Sequence, residues 1–257
     1  MAEARSAVQR GLILPAGRVC PGFGVYVQEH GHTSRDNPAM TTPVRADPSD
    51  IDLLHLDDGL VVVRKPAGLL SVPGRGPERA DCVAARVQRR VPDALVVHRL
   101  DMATSGLLLM ARGPQAQRLL SVAFAERRVA KRYVAVVAGM PDGDCGEISL
   151  PLRCDWPNRP RQMVDHALGK PALTRWRVLS RQPSDGTARL ELEPVTGRSH
   201  QLRVHLQSIG HPIVGDELYA PARWQRASPR LLLHACHLAF VHPLDGSALA
   251  FSDPADF

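Results

Sequence analysis

The segment GLVVVR at 59–64 is a β-branched run bounded by two aspartates before it and a Lys-Pro pair after it, the pattern of a short strand. Similar runs at 106–111, 132–138, 147–150, 173–179, 188–192, 235–241 and 248–251 predict further strands. Two helices are predicted at 80–90 and 115–127. At 199–208 a third follows from Leu202, Leu206 and Ile209, which recur four and three residues apart, the one-face pattern of a short helix. Many strands with few interleaved helices predict an α+β fold and argue against a doubly wound α/β sheet.

The texture changes near residue 50. Residues 1–50 mix Gly, Pro, Arg and His with little apolar periodicity, and 30–50 reads as polar linker, so a poorly ordered extension is expected there, with Met40 as an alternative translation start. Residues 51–257 are long enough to bury a full core as one domain.

Composition narrows the function classes. The chain is 44% hydrophobic and 23% charged, and no apolar run approaches the roughly 18 residues that a membrane span needs, so a soluble protein is expected. The apolar stretch at 11–16 is too short for the core of a signal peptide. Five cysteines without a CxxC pair argue against a disulfide framework or a zinc knuckle and fit a reducing cytoplasm. The net charge of +6 permits a polyanionic partner without identifying one. Lys occurs only at 65, 131 and 170, and Arg supplies the other basic residues. Arg forks onto phosphates and stacks on bases, although a GC-rich coding sequence produces the same bias.

The candidate chemistry lies at 97–111, VHRLDMATSGLLLMA, where His98, Arg99 and Asp101 precede a Thr-Ser-Gly turn and a buried-looking strand. Catalytic groups tend to sit in such loops, held on a rigid sheet. An isolated Arg-x-Asp also describes an ion pair capping a turn, and spacing does not choose between the two. HRLDMATSGLLL resembles the signature loop of the RluA family of RNA pseudouridine synthases. Three more segments resemble that family in the same order: DDGLVVVRKPAGLLSVP at 57–73, KRYVAVVAG at 131–139, and TGRSHQLRVHLQSIGHPIVGDELY at 196–219. The resemblance runs from about residue 51 to the end of the chain.

That resemblance implies a fold, a reaction and roles. The fold is the pseudouridine synthase catalytic fold, with a mixed, mainly antiparallel sheet and an RNA-binding cleft across it. The reaction converts uridine to pseudouridine without cofactor or metal. Asp101 matches the catalytic carboxylate and Arg203 the cation that keeps it ionised. Tyr133 matches the aromatic on which the uracil stacks, a candidate for proton transfer at C5, and Leu202 an apolar position that packs the other side of the base. Arg99 is placed to fill the space a flipped base vacates, and His98 to orient the loop. The later histidines lack any HExxH or Cys-His spacing and suggest no zinc site. Lys65, Arg64, Arg75, Arg153, Arg159 and Arg161 are expected in or beside loops, either on phosphates or on solvated surface. The tracts at 69–75, 150–162 and 254–257 narrow the resemblance to a member of the family that modifies two RNAs, a hairpin of large-subunit rRNA and the anticodon loop of tRNA, the alternatives being another rRNA or tRNA target within the family or a non-catalytic RNA-binding protein. The expected partner is therefore structured RNA, and the expected state a cytoplasmic monomer.

Overall fold

The computed structural model describes residues 51–257. The extension expected at 1–50 and the start at Met40 lie outside the described residues. In chain order the elements are β1 (Asp52–Leu56), β2 (Leu60–Lys65), α1 (Val83–Arg90), β3 (Ala94–Val96), β4 (Ser105–Arg112), α2 (Gly113–Ala125), β5 (Ala130–Ala138), β6 (Cys145–Ser149), β7 (Leu152–Cys154), β8 (Gln162–Val164), β9 (Leu173–Gln182), β10 (Thr187–Pro194), α3 (Gln201–Ser208), α4 (Ala222–Gln225), β11 (Leu233–Val241) and β12 (Ala248–Ser252).

One sheet runs in the order β1, β2, β4, β11, β5, β10, β9, β6, with β3 added to β4 and β12 to β11, while β7 and β8 form a separate hairpin. Every pairing is antiparallel except that of β4 with β11. The fold is thus α+β with a mixed, mainly antiparallel sheet, as the strand-rich pattern predicts. Among the described residues no helix is long and apolar enough to cross a membrane.

The central strands read as unbroken apolar runs because both of their faces are covered. Val61 and Val63 of β2 and Leu108 and Met110 of β4 pack with α1 on one face. Their neighbours Leu60, Val62, Leu107 and Leu109 pack with α2 on the other. A third cluster joins β5 and β10 to Leu202 and Leu206 of α3.

The site depends on one rung of this sheet. Gly106 pairs with Ala235, and Ala235 pairs with Tyr133, so the start of β4 and the middle of β5 flank the same residue of β11. Gly106 has φ +110°, and a Cβ there would lie 2.3 Å from the Ala235 carbonyl oxygen. Only glycine allows that approach. It brings the loop preceding β4 alongside Tyr133. Cys82, Cys154 and Cys236 are free thiols.

Candidate active site

The loop between β3 and β4 is fixed from below through its main chain. Lys65, fully buried, donates from Nζ to the carbonyls of Pro66 at 2.9 Å, Met102 at 2.9 Å and Thr104 at 2.7 Å. Burial pulls its pKa down to about 7, while the nearby Asp101 acts in the opposite direction. The three carbonyls call for three N–H donors, which the ammonium has and the neutral amine lacks. Lys65 is therefore a clamp on the loop and not the phosphate contact that its charge suggested. Ser71 adds a second clamp, donating to the Leu100 carbonyl at 2.7 Å and accepting the Leu100 N–H at 3.1 Å. The Gly68 N–H donates to the Met102 carbonyl at 2.8 Å. Arg64 is also occupied, gripping Asp253 through Nε and Nη2 and Asp52 through Nη1.

His98 turns toward β4, where Nε2 accepts the Leu109 N–H at 3.0 Å and the ring stacks on Phe124 at 4.4 Å. An accepting Nε2 requires a neutral ring, in line with a pKa brought down to about 3 by burial and by Lys131. Arg99 is exposed at the rim and, among the described residues, makes no hydrogen bond or ion pair.

Asp101 sits where this loop meets α3, and its side chain is 27% exposed. Arg203 approaches it, with Nη1 3.6 Å from Oδ2. The tighter partner of Arg203 is Asp216, which accepts from Nε at 2.8 Å and from Nη2 at 2.7 Å in a two-pronged pair buried on both sides. Burial works against the Arg203 charge, and Asp216 followed by Asp101 outweighs it and holds the guanidinium above its ordinary pKa. The expected Asp101–Arg203 contact is present, but sequence reasoning missed that Asp216 anchors the cation. The signal lay in the VGDELY end of the 196–219 segment. His200 stands beside Arg203 with Nε2 3.9 Å from the same Asp101 oxygen, and it too was not singled out.

A cavity of about 480 Å³ opens over these groups and is lined by His98, Arg99, Asp101, Tyr133, Leu202 and Arg203, the six residues picked from the sequence. Lys131, Arg127 and Arg198 add positive charge around it. The Tyr133 hydroxyl takes no hydrogen bond among the described residues. Burial, and then Asp101 facing it, push its pKa above the ordinary phenol value. Leu202 lines the cavity and also belongs to the core beneath α3. Most of the later histidines are spread over the fold: His205 bonds Thr174 and Leu150, His211 bonds Ala138, His234 bonds Ser105, and His242 faces Asp57 and Asp245.

Residues 59–208 match the family model described as RNA pseudouridylate synthase. Over 205 residues the chain is 52% identical to the dual-specificity RNA pseudouridine synthase RluA of Escherichia coli (strain K12), with 80% of this chain and 93% of that protein covered. The protein of the same name from Pasteurella multocida (strain Pm70) is 50% identical over 207 residues, covering 80% and 94%. Among solved structures, human RNA pseudouridylate synthase domain containing 1 superposes with a TM-score of 0.68 at 28% identity, over 83% of this chain and 86% of that one. Human RNA pseudouridylate synthase domain containing 4 gives 0.63 at 26% identity, over 79% and 88%. This chain belongs to the RNA pseudouridylate synthase family, the enzymes that isomerise uridine to pseudouridine within RNA.

Proposed function

We propose that the enzyme modifies two structured RNAs, a hairpin of large-subunit rRNA and the anticodon loop of tRNA, acting as a monomer in the cytoplasm with Asp101 as its reactive carboxylate. The observation that supports the chemistry is the meeting of Asp101, Arg203, Tyr133 and Leu202 in one cavity, although they come from three separate stretches of chain. Isomerisation breaks the N1–C1′ bond, turns the freed ring and joins C5 to C1′. The proton leaving C5 balances the proton gained at N1, so no redox partner is needed. Asp101 serves as nucleophile at the sugar or ring, or as the base that removes a sugar proton. Either task falls to the carboxylate, and the Arg203 guanidinium stands 3.6 Å from it. Tyr133 and Leu202 hold the two faces of the uracil. A base leaves its stack at a cost of roughly a few kcal/mol, and Arg99, exposed and unpaired, fills the gap while His98 orients the loop.

The Tyr133 hydroxyl moves the proton at C5. Tyr133→Phe keeps the ring and removes the hydroxyl, so turnover is expected to fall by about a hundredfold or more while RNA affinity holds. Single-turnover kinetics beside filter binding checks this. Full turnover in that variant would leave the hydroxyl without a chemical role.

RNA outside the cavity meets the β7–β8 hairpin. Its loop carries Trp156, 65% exposed, with the Arg159 guanidinium 4.3 Å above the ring, and Arg161 lies 5.4 Å over Tyr219. An open indole backed by Arg is a stacking platform for an unpaired base. Trp156→Ala is expected to cost about 1–3 kcal/mol of RNA binding, with little change in the rate of bound substrate.

The dual target is supported by 52% identity to a relative whose name carries that specificity. Mapping pseudouridine in total RNA from cells with and without this protein tests it. One rRNA site and one tRNA site are expected to revert to uridine, and loss in only one class of RNA refutes the dual reading.

A further inference from the structure

Two nitrogens close on Asp101, and both make their nearest approach to the same oxygen. Arg203 Nη1 lies 3.6 Å and His200 Nε2 3.9 Å from Oδ2. We propose that His200 is a positioning residue for the reaction: its Nε2–H holds Oδ2 together with Arg203 and leaves Oδ1 free to react, and its tautomer is set by a hydrogen-bond chain that begins in the β7–β8 hairpin. The inference rests on Asp101 being the reactive carboxylate.

The chain of donors fixes the direction. The main-chain N–H of Gln162, at the start of β8, donates to the Tyr219 hydroxyl oxygen at 2.7 Å. The hydroxyl proton then has one acceptor among the described residues, His200 Nδ1, also at 2.7 Å. A hydroxyl that accepts from the amide keeps its proton to give, and giving it to Nδ1 pairs both groups. With Nδ1 as the acceptor, the proton of the neutral ring is on Nε2, the nitrogen that faces Asp101. Neutrality follows from the surroundings. Burial lowers the His200 pKa, Asp101 and Asp216 pull it up, Arg203 and Arg99 push it down, and the balance lies below the ordinary value. A neutral donor orients the carboxylate without adding a second positive charge beside it.

The backbone supports a role beyond packing. His200 has φ 52°, the left-handed region, at the residue immediately before α3. Non-glycine residues seldom adopt that conformation, and where they do the strain tends to cluster at functional sites. Here it turns the ring into the cavity between Tyr219 and Asp101. The 3.9 Å approach is longer than a hydrogen bond, and catalytic hydrogen bonds commonly tighten when substrate fills the site. Because the chain starts at Gln162, the RNA-facing hairpin and the reactive carboxylate are mechanically joined.

The test has two parts. In full-length protein labelled with 15N in its imidazoles, a long-range 1H–15N spectrum reports which ring nitrogen carries the proton, with the His200 signals assigned by their loss in His200→Gln. The Nε2–H tautomer is expected in the wild type, with a mixture in Tyr219→Phe. A wild-type ring protonated on Nδ1 overturns the proposal, because Nε2 then has nothing to donate. The second part compares His200→Ala with His200→Gln, which share the backbone strain and differ in whether an N–H reaches toward Asp101. Single-turnover rate at saturating RNA is expected to fall about tenfold or more in the Ala variant, with RNA affinity held, and to recover most of the loss in the Gln variant. Equal rates in the two variants overturn it, whether both are fast or both slow. Asp101→Asn run alongside separates failures: activity surviving there sinks the assignment of the carboxylate, whereas activity surviving only in His200→Ala sinks the role of His200.

Discussion

Asp101→Asn is expected to abolish pseudouridine formation, a fall of about a thousandfold or more, while the protein still folds and still binds RNA. The two side chains are nearly isosteric, and nothing that shapes the loop depends on the carboxylate. Lys65 and Ser71 hold the backbone at Leu100, Met102 and Thr104, and Arg203 keeps its tight pair with Asp216. What disappears is the negative charge and its capacity to attack carbon or take a proton. Tritium release from RNA labelled at C5 of uridine measures the loss directly, and filter binding with the same RNA measures what remains. Turnover near the wild-type rate would remove Asp101 from the mechanism.

The parts of the fold that were legible in the sequence are those whose burial is written into local pattern. β2 and β4, covered on both faces, appear as continuous apolar runs, and α3 declares itself through Leu202 and Leu206. β1 was missed because it is an edge strand of alternating exposed residues, DLLHL. β7 and β8 were missed because three-residue strands carry too little pattern, and they are held by distant contacts such as that of Gln162 with Tyr219.

The site divides along the same line. His98, Arg99, Asp101, Tyr133, Leu202 and Arg203 were picked because they sit in recognisable segments, and folding brings all six to one cavity. Lys65, His200 and Asp216 were not. Their importance lies in partners that sequence distance conceals, 37 and 39 residues away for the Lys65 contacts with Met102 and Thr104. A lysine read from sequence is assigned to the surface because lysines are almost never fully buried unless paired. Three carbonyl oxygens converging from two stretches of chain are a pairing that only the folded structure reveals.

The largest expected loss of stability comes from Asp216→Ala, about 3–5 kcal/mol, because it strands a buried guanidinium. Asp216 is completely buried and Arg203 nearly so. The carboxylate also accepts the main-chain N–H groups of Leu218 at 2.9 Å and Tyr219 at 3.1 Å, so the substitution leaves those donors unpaired as well. An exposed pair makes the contrast: Asp52 meets Arg64 at the surface, and Asp52→Ala is expected to cost about 1 kcal/mol or less. In Asp216→Ala the remaining acidic neighbour of Arg203 is Asp101, so the guanidinium is drawn onto the carboxylate proposed to react, and activity is expected to fall in the molecules that stay folded. Urea unfolding gives the first effect, and turnover corrected for the folded fraction gives the second. Adding Arg203→Met to Asp216→Ala is expected to recover part of the lost stability, since removing both charges costs less than orphaning one. A single substitution that loses under about 1 kcal/mol, with no recovery in the double variant, would mean that Arg203 draws its stability from elsewhere.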